Sequence, residues 1–104
     1  MGQIANVYHE FEQVERHYLP PSWGAMAHLF ELVLDDNSLS GTLPPEYSSM
    51  EGMAEYTLTG NAFTGSLPSE YSSMERLRVF VAAINLIEGT LPPSYASMTG
   101  MVSI

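Results

Sequence analysis

Three histidines and twelve acidic residues are the side chains of this sequence that could bind a metal ion or transfer a proton. The stretch His9-Glu10-Phe11-Glu12-Gln13 begins like a His-Glu-x-x-His zinc helix, in which two histidines on one face bind the metal and the glutamate activates water. Gln13 occupies the position of the second histidine, so two of the three zinc ligands are missing. We interpret this stretch as a solvated helix face.

Asp35 and Asp36 form an acidic pair that invites comparison with a calcium loop. Such a loop needs alternating oxygen ligands followed by a further acidic residue, and two adjacent acids do not supply that pattern. His17 and His28 have no acidic or serine partner at a recognisable spacing, and we interpret them as surface or rim residues. The sequence also has no glycine-rich phosphate loop. We therefore predict no catalytic site, no metal and no cofactor.

The charge balance narrows the class of partner. Twelve Asp and Glu residues stand against three Lys and Arg residues, which gives a formal net charge of -9. Nucleic acids and anionic lipids need a basic surface, so neither is an expected partner. With no apolar stretch of about 18 residues, direct insertion into a membrane is not expected. The N-terminal residues lack the pattern of a secretory signal, and the absence of cysteine excludes disulfides.

The sequence contains a repeat, and each repeat unit is expected to form one structural element of the fold. Leu-Pro steps recur every 24 residues, at Leu19, Leu43, Leu67 and Leu91. They define three complete units and one partial unit, at 19–42, 43–66, 67–90 and 91–104. Each unit continues with an aromatic residue, at Trp23, Tyr47, Tyr71 and Tyr95, followed three positions later by methionine. Self-similarity at a fixed period of this length is typical of a solenoid.

The columns after each methionine indicate the kind of solenoid. The first unit runs Leu29-x-x-Leu32-x-Leu34-x-x-Asn37-x-Leu39-x-Gly41, and the next two units keep this leucine-rich-repeat spacing. Alternating apolar positions predict one short strand per unit, and stacked units pair these strands into a parallel sheet. We predict an α/β-type repeat solenoid: a short right-handed leucine-rich-repeat array with a parallel concave sheet and a 3₁₀ or irregular convex side.

Two polar columns have structural explanations. Asparagine at 37, 61 and 85 can donate and accept hydrogen bonds together, so we expect it to satisfy backbone groups where the chain turns inside the coil. Glycine at 41, 65 and 89 allows the chain to bend or to approach a neighbouring coil closely.

The Gly-x-Leu-Pro ending and the 24-residue unit resemble the plant-type class of leucine-rich repeat. The phrases at 19–26 and 43–50, Leu-Pro-Pro-Ser-Trp-Gly-Ala-Met and Leu-Pro-Pro-Glu-Tyr-Ser-Ser-Met, also resemble repeats of the promastigote surface antigen and proteophosphoglycan families of kinetoplastid parasites. This resemblance covers 19–104. It implies a secreted or lipid-anchored cell-surface protein that binds host or parasite surface proteins. The cysteine-bearing caps, secretory signal and anchor signal of that family are not found in this sequence, which leaves the compartment unknown.

The two ends are expected to differ. Apolar residues at helical spacing, from Ile4 to Tyr18, predict that residues 1–18 form an amphipathic helix serving as an N-terminal cap or leader. The last unit stops at Ile104, within its expected strand, so the C-terminal sheet edge is expected to be open to self-association.

The outward positions of the strands are the candidate protein-binding site. They are Glu31, Glu55 and Val79, then Val33, Thr57 and Val81, then Asp35, Thr59 and Ala83. The sequence thus predicts a non-catalytic protein-interaction module with a protein partner, similar in setting to a cell-surface antigen. The alternative is a truncated or self-associating repeat copy with a structural role and no dedicated ligand.

Overall fold

The computed structural model describes residues 3–6 and 18–101. Six strands lie in these ranges: β1 (Gln3–Asn6), β2 (Leu29–Val33), β3 (Ser40–Thr42), β4 (Glu55–Thr57), β5 (Ala62–Thr64) and β6 (Val79–Val81). Four 3₁₀ helices separate them: η1 (Pro21–Ala25), η2 (Pro45–Ser49), η3 (Ser69–Ser73) and η4 (Pro93–Ser97). Each repeat unit therefore contributes the 3₁₀ turn that the sequence predicts, and the three complete units also contribute the predicted strand.

The main sheet is parallel throughout, with the strand order β1-β2-β4-β6. Glu31 lies beside Glu55, and Glu55 lies beside Val79. Equivalent positions in successive units are therefore direct neighbours across the sheet, as the 24-residue period predicts. The leucine-rich-repeat solenoid expected from the sequence is the observed fold.

A second, two-stranded sheet was not predicted. It pairs β3 with β5 in parallel, and its register joins Ser40 to Ala62 and Thr42 to Thr64. These partners are 22 residues apart rather than 24, so the repeat frame does not place them opposite each other. Tyr18 extends this region through an isolated parallel bridge to Ser40.

The core is apolar and continuous through the units. It includes the leucines, methionines and aromatic residues of the repeat columns, and no polar or charged residue is buried in the described ranges. The aromatic position of the second, third and fourth units is tyrosine, and its hydroxyl links neighbouring units. The hydroxyls of Tyr47, Tyr71 and Tyr95 each donate to a proline carbonyl oxygen of the preceding unit, at 2.9, 2.8 and 2.7 Å. One side chain therefore fills the core and bonds two units together.

The asparagine column behaves as expected. The Oδ1 atom of Asn61 accepts hydrogen bonds from the backbone N–H groups of Asn37 and Leu39, both at 3.0 Å. Its Nδ2 atom donates to the carbonyl oxygens of Leu34 and Leu58, both at 2.9 Å. The side chain thus satisfies backbone groups of its own unit and of the unit before it.

Gly41 and Gly65 show why glycine recurs at this position of each complete unit. Gly41 and Gly65 have φ values of 85° and 79°, in the left-handed region where a side chain is costly. A Cβ atom on Gly41 would lie 3.1 Å from the Tyr18 ring, and one on Gly65 would lie 3.0 Å from Thr42 Cγ2. Both the bend and the close approach predicted for this column are present.

The N-terminal region differs from the expectation where it is described. Residues 3–6 form strand β1, paired with β2, whereas the sequence predicts an amphipathic helix over 1–18. Without β1, the outer edge of β2 would have unpaired backbone N–H and C=O groups. Hydrogen bonding to that edge stabilises residues 3–6 as a strand, although the spacing of apolar residues favours a helix. Residues 7–17 lie outside the described ranges, so the role of 1–18 as cap or leader stays a prediction.

Candidate protein-binding face

Two of the three predicted columns form adjacent ladders across the main sheet. Glu31, Glu55 and Val79 make the first ladder, and Val33, Thr57 and Val81 make the second. Between the two ladders lies the inward row of Leu32, Tyr56 and Phe80, all fully buried. The six outward residues, in contrast, are partly or fully exposed. We call these six residues the strand face.

The third predicted column lies beyond the strand ends and takes part in structural hydrogen bonds. The Oδ1 atom of Asp35 accepts from the backbone N–H of Thr59 at 3.0 Å. The carbonyl oxygen of Thr59 in turn accepts from the N–H of Asp36 at 2.9 Å. The carbonyl of Ala83 accepts from the N–H of Gly60 at 3.2 Å. Asp35, Thr59 and Ala83 therefore join the turns of neighbouring units at one border of the strand face.

The strand face is acidic at one end and apolar at the other. Glu31 and Glu55 are neighbours on adjacent strands, about 4.8 Å apart in the direction of the hydrogen bonds. Like charges in such positions repel each other. Within the described ranges no ion pair or hydrogen bond involves either carboxylate. A cationic group of a partner, placed between Glu31 and Glu55, would offset this repulsion. Val79 and Val81 form an apolar surface on β6, two strands away from Glu31.

A groove borders the strand face at the side where the strands begin. It has a volume of about 730 Å³ and is lined in part by His28, Phe30, Gly52 and Arg76. Its form follows from residue size: the second unit has Gly52 where the flanking units have His28 and Arg76, and Ala54 follows where the first unit has Phe30. The sequence interpretation missed this groove, although comparing side-chain volumes between units would have indicated it.

The described residues hold few groups suited to acid–base or metal chemistry. No cluster of three or more His, Asp or Glu side chains capable of holding a metal occurs in the described part. His9 and His17 lie outside the described ranges, and His28 is exposed. Burial raises the pKa of Tyr95 to about 12 and raises the pKa values of Tyr47, Tyr56 and Tyr71 as well. These phenols are therefore protonated core groups at neutral pH. Among the described residues, no helix is long and apolar enough to cross a bilayer.

Similar solved structures include leucine-rich-repeat ectodomains of plant receptor kinases. The BIR3–SERK2 complex from Arabidopsis thaliana is 24% identical, with a TM-score of 0.78, over 84% of this chain and 47% of that one. The ectodomain of GASSHO1/SCHENGEN3 from the same plant, in complex with CASPARIAN STRIP INTEGRITY FACTOR 2, is 25% identical with a TM-score of 0.79. That match covers 84% of this chain and 11% of that one.

A third similar structure is the Arabidopsis receptor kinase HAESA in complex with the peptide hormone IDA and the co-receptor SERK1. It is 30% identical with a TM-score of 0.77, over 81% of this chain and 14% of that one. This chain thus spans less than half the length of each of these three structures. No protein-family model and no curated protein sequence matches it. The structural matches show a plant-type leucine-rich-repeat fold.

Proposed function

We propose that this chain is a protein-interaction module that binds an extended segment of a protein partner on the strand face. The observation that carries the proposal is the ladder in which Glu31 and Glu55, whose carboxylates have no ion pair among the described residues, lead to the apolar Val79. The solved structures of HAESA and GASSHO1/SCHENGEN3 contain bound partners, which supports a binding role for this type of repeat. No catalytic role is proposed.

The geometry indicates the chemistry of the segment. Glu31 and Val79 are two strands apart, or roughly 9.6 Å. An extended peptide advances about 3.3 Å per residue. A segment that crosses the strands would therefore place an apolar side chain on Val79 about three residues away from a Lys or Arg near Glu31. A basic-x-x-apolar sequence fits both ends of the strand face.

The size of the surface sets the expected affinity. The strand face spans three strands about 4.8 Å apart, and its three-residue strands β4 and β6 are about 10 Å long, which gives roughly 100 Å² of flat face. A standard interface uses about 800 Å² on each partner. The strand face alone should therefore bind weakly, and contacts in the groove beside Phe30 would extend it.

A library of displayed random peptides, selected against the immobilised chain, tests this proposal. We expect enrichment of basic-x-x-apolar sequences on the wild-type chain and loss of that enrichment on Glu55→Lys, because the substitution reverses the charge at the centre of the acidic end. Glu70→Lys is the matched control, since Glu70 is exposed on η3, outside the strand face. Enrichment that Glu70→Lys abolishes and Glu55→Lys retains would contradict the proposal.

We further propose a cell-surface setting like that of the kinetoplastid surface antigens, on the strength of the repeated phrase alone. Antibody to the Leu-Pro-Pro-Glu-Tyr-Ser-Ser-Met phrase, applied to intact cells that express the chain, should label the outside of the cell. Labelling that appears only after the cells are permeabilised would refute this part of the proposal and leave the binding role open.

A further inference from the structure

We infer that the groove beside the strand face is a pocket for a tyrosine or tryptophan side chain of the bound segment, an inference that rests on the proposed function. The groove has a volume of about 730 Å³, within the range of about 300–1,000 Å³ that is usual for binding clefts. Three consecutive units line it in part: the first contributes His28 and Phe30, the second Gly52, and the third Arg76. We call it the Gly52 groove.

The Gly52 groove lies where the second unit lacks large side chains that its neighbours have. His28, Gly52 and Arg76 are equivalent residues of consecutive units, so the glycine leaves a gap between an imidazole and a guanidinium. Two residues further on, Ala54 is the equivalent of Phe30. The N–H of Ala54 donates to the carbonyl oxygen of Phe30 at 2.8 Å, so the backbone below the gap is paired within the fold. What the gap can accept is therefore a side chain and not an added strand.

The width of the gap fits one flat ring. The first and third units are two strands apart, or roughly 9.6 Å, because neighbouring strands lie about 4.8 Å apart. A ring at the level of Gly52 would therefore lie about 4.8 Å from the layer of Phe30 and about 4.8 Å from the layer of Arg76. Aromatic rings attract each other at centroid distances of about 4.5–7 Å, and a guanidinium attracts a ring face within about 6 Å. Only an aromatic side chain gains both contacts.

Charge at the rim determines which aromatic residue fits. Glu51 and Glu75 also line the Gly52 groove, and both are exposed. Together with Arg76 they give the lining one net negative charge when His28 is neutral, so an anionic ring such as phosphotyrosine is disfavoured. Within the described ranges neither glutamate forms an ion pair or a side-chain hydrogen bond. Each can accept from the O–H of a tyrosine or the N–H of a tryptophan, which phenylalanine cannot donate.

The Gly52 groove is an interior feature of the array. On one side β1 pairs with β2 of the first unit. On the other side the fourth unit is described as far as Met101, and Gly100 is its equivalent of Arg76. The lining therefore does not depend on a sheet edge.

The strand face determines where in the segment the aromatic residue lies. Phe30 directly precedes Glu31 on β2, so the groove opens beside the basic end of the segment. The basic residue lies over β2 and the apolar residue over Val79 on β6, which leaves the two x positions over the second unit. Gly52 belongs to that unit. The complete motif is then a basic residue, a tyrosine or tryptophan at one of the next two positions, and an apolar residue.

A matched set of synthetic peptides tests the inference on the full chain. The parent peptide has lysine, two alanines and leucine at the four motif positions, and the others carry tryptophan or leucine in place of one alanine. We expect tryptophan at one of the two positions to tighten binding about tenfold, because it gains contacts with Phe30 and Arg76 together. Leucine at the same position should tighten binding by about threefold at most, since it gains neither contact. Fluorescence anisotropy of labelled peptides measures the dissociation constants.

Variants of the groove separate the pocket from the strand face. Ala54→Phe introduces the residue that the first unit has at this position, and it should abolish the tryptophan advantage by filling the gap. Arg76→Gln should reduce that advantage about threefold, and because Arg76 is exposed this variant should fold even if Ala54→Phe does not. Both variants should bind the parent peptide as the wild type does. Ala96→Phe, on an exposed residue of η4, is the matched control and should change nothing.

The outcomes distinguish this inference from the proposed function. A wild-type chain that binds the parent peptide without any gain from tryptophan, or a gain that Ala54→Phe and Arg76→Gln both retain, would overturn the pocket and leave the binding role of the strand face intact. A chain that binds no peptide would count against the strand face. The pocket is then tested by N-acetyl-tryptophan amide alone, which should shift the Gly52 amide of the wild type and not that of Ala54→Phe. An unmoved Gly52 amide in the wild type would overturn the pocket as well.

Discussion

The hydroxyl of Tyr71 joins two layers of the core. It donates to the carbonyl oxygen of Pro44 at 2.8 Å and lies 3.2 Å from the hydroxyl of Tyr56. Because its single proton is used toward Pro44, the bond between the two phenols must be donated by Tyr56. Tyr56 is fully buried, so its hydroxyl depends on Tyr71 as acceptor.

This arrangement predicts the sign of a double substitution. Tyr71→Phe should lower the free energy of unfolding by about 1–3 kcal/mol, because it leaves the buried Tyr56 hydroxyl without an acceptor. The Pro44 carbonyl still accepts from the N–H of Tyr47 at 3.2 Å. Adding Tyr56→Phe to Tyr71→Phe should therefore restore part of the loss. Urea unfolding of the two single variants and the double variant measures this, and a further loss in the double variant would contradict it.

The buried tyrosines also predict instability at high pH. Burial raises the pKa of Tyr95 to about 12, from an ordinary 10.0, so the unfolded chain releases this proton before the folded chain does. The resulting stability is present in full below pH 10 and is lost as pH rises toward 12. The urea midpoint should fall over this window, and Tyr95→Phe should make the fall shallower. An equally steep fall in Tyr95→Phe would argue against the assignment.

The hydrogen bonds of the asparagine column predict that substituting Asn61 destabilises the fold more than substituting Asn37 does. The Asn61 side chain bonds backbone groups of two units, whereas the Asn37 side chain, within the described ranges, only donates to the carbonyls of Leu34 and Asp35. Asn61→Ala should cost about 2–4 kcal/mol and Asn37→Ala about half of that. Urea unfolding of both variants provides the comparison, and equal costs would show that the bonds between units contribute little.

Much of this architecture follows from the sequence, and the exceptions have physical causes. The 24-residue frame predicted β2, β4, β6 and the neighbours Glu31, Glu55 and Val79, because stacked units repeat the same pairing. It did not predict β3 and β5, whose register is 22 residues. Strand β1 was missed because its pairing depends on an edge formed elsewhere in the chain.

The candidate site was predicted in part, for similar reasons. Alternation along each strand was enough to identify the six residues of the strand face. The structural bond of Asp35 to Thr59 was not predicted, because it depends on the turn beyond the strand. The groove at Gly52 and an isoleucine in the left-handed conformation, Ile84, occur where one unit differs from the others. The repeat pattern predicts only the features that all units have in common, so it did not predict these two.

The acidity of the whole molecule predicts a dependence on salt. With a formal charge of -9, and with Glu31 beside Glu55, the folded chain is strained by repulsion that salt screens. The melting temperature should rise when NaCl is increased from about 10 mM to about 300 mM. Glu55→Gln should reduce this rise, and Glu88→Gln, in the region poor in charge, should change it less. If Glu55→Gln and Glu88→Gln changed the salt-dependent rise of the melting temperature equally, repulsion between Glu31 and Glu55 would not be its main source.

Binding on the concave side of the solenoid is the central claim, and amide chemical shifts test it most directly. A peptide with a basic-x-x-apolar sequence would be titrated into the isotopically labelled chain while its spectrum is recorded. We predict that the amides of Glu31, Glu55 and Val79 shift together with one saturation curve, while those of Glu46 and Glu70 on η2 and η3 stay in place. Shifts confined to the 3₁₀ helices, with the strand amides unmoved, would contradict the claim.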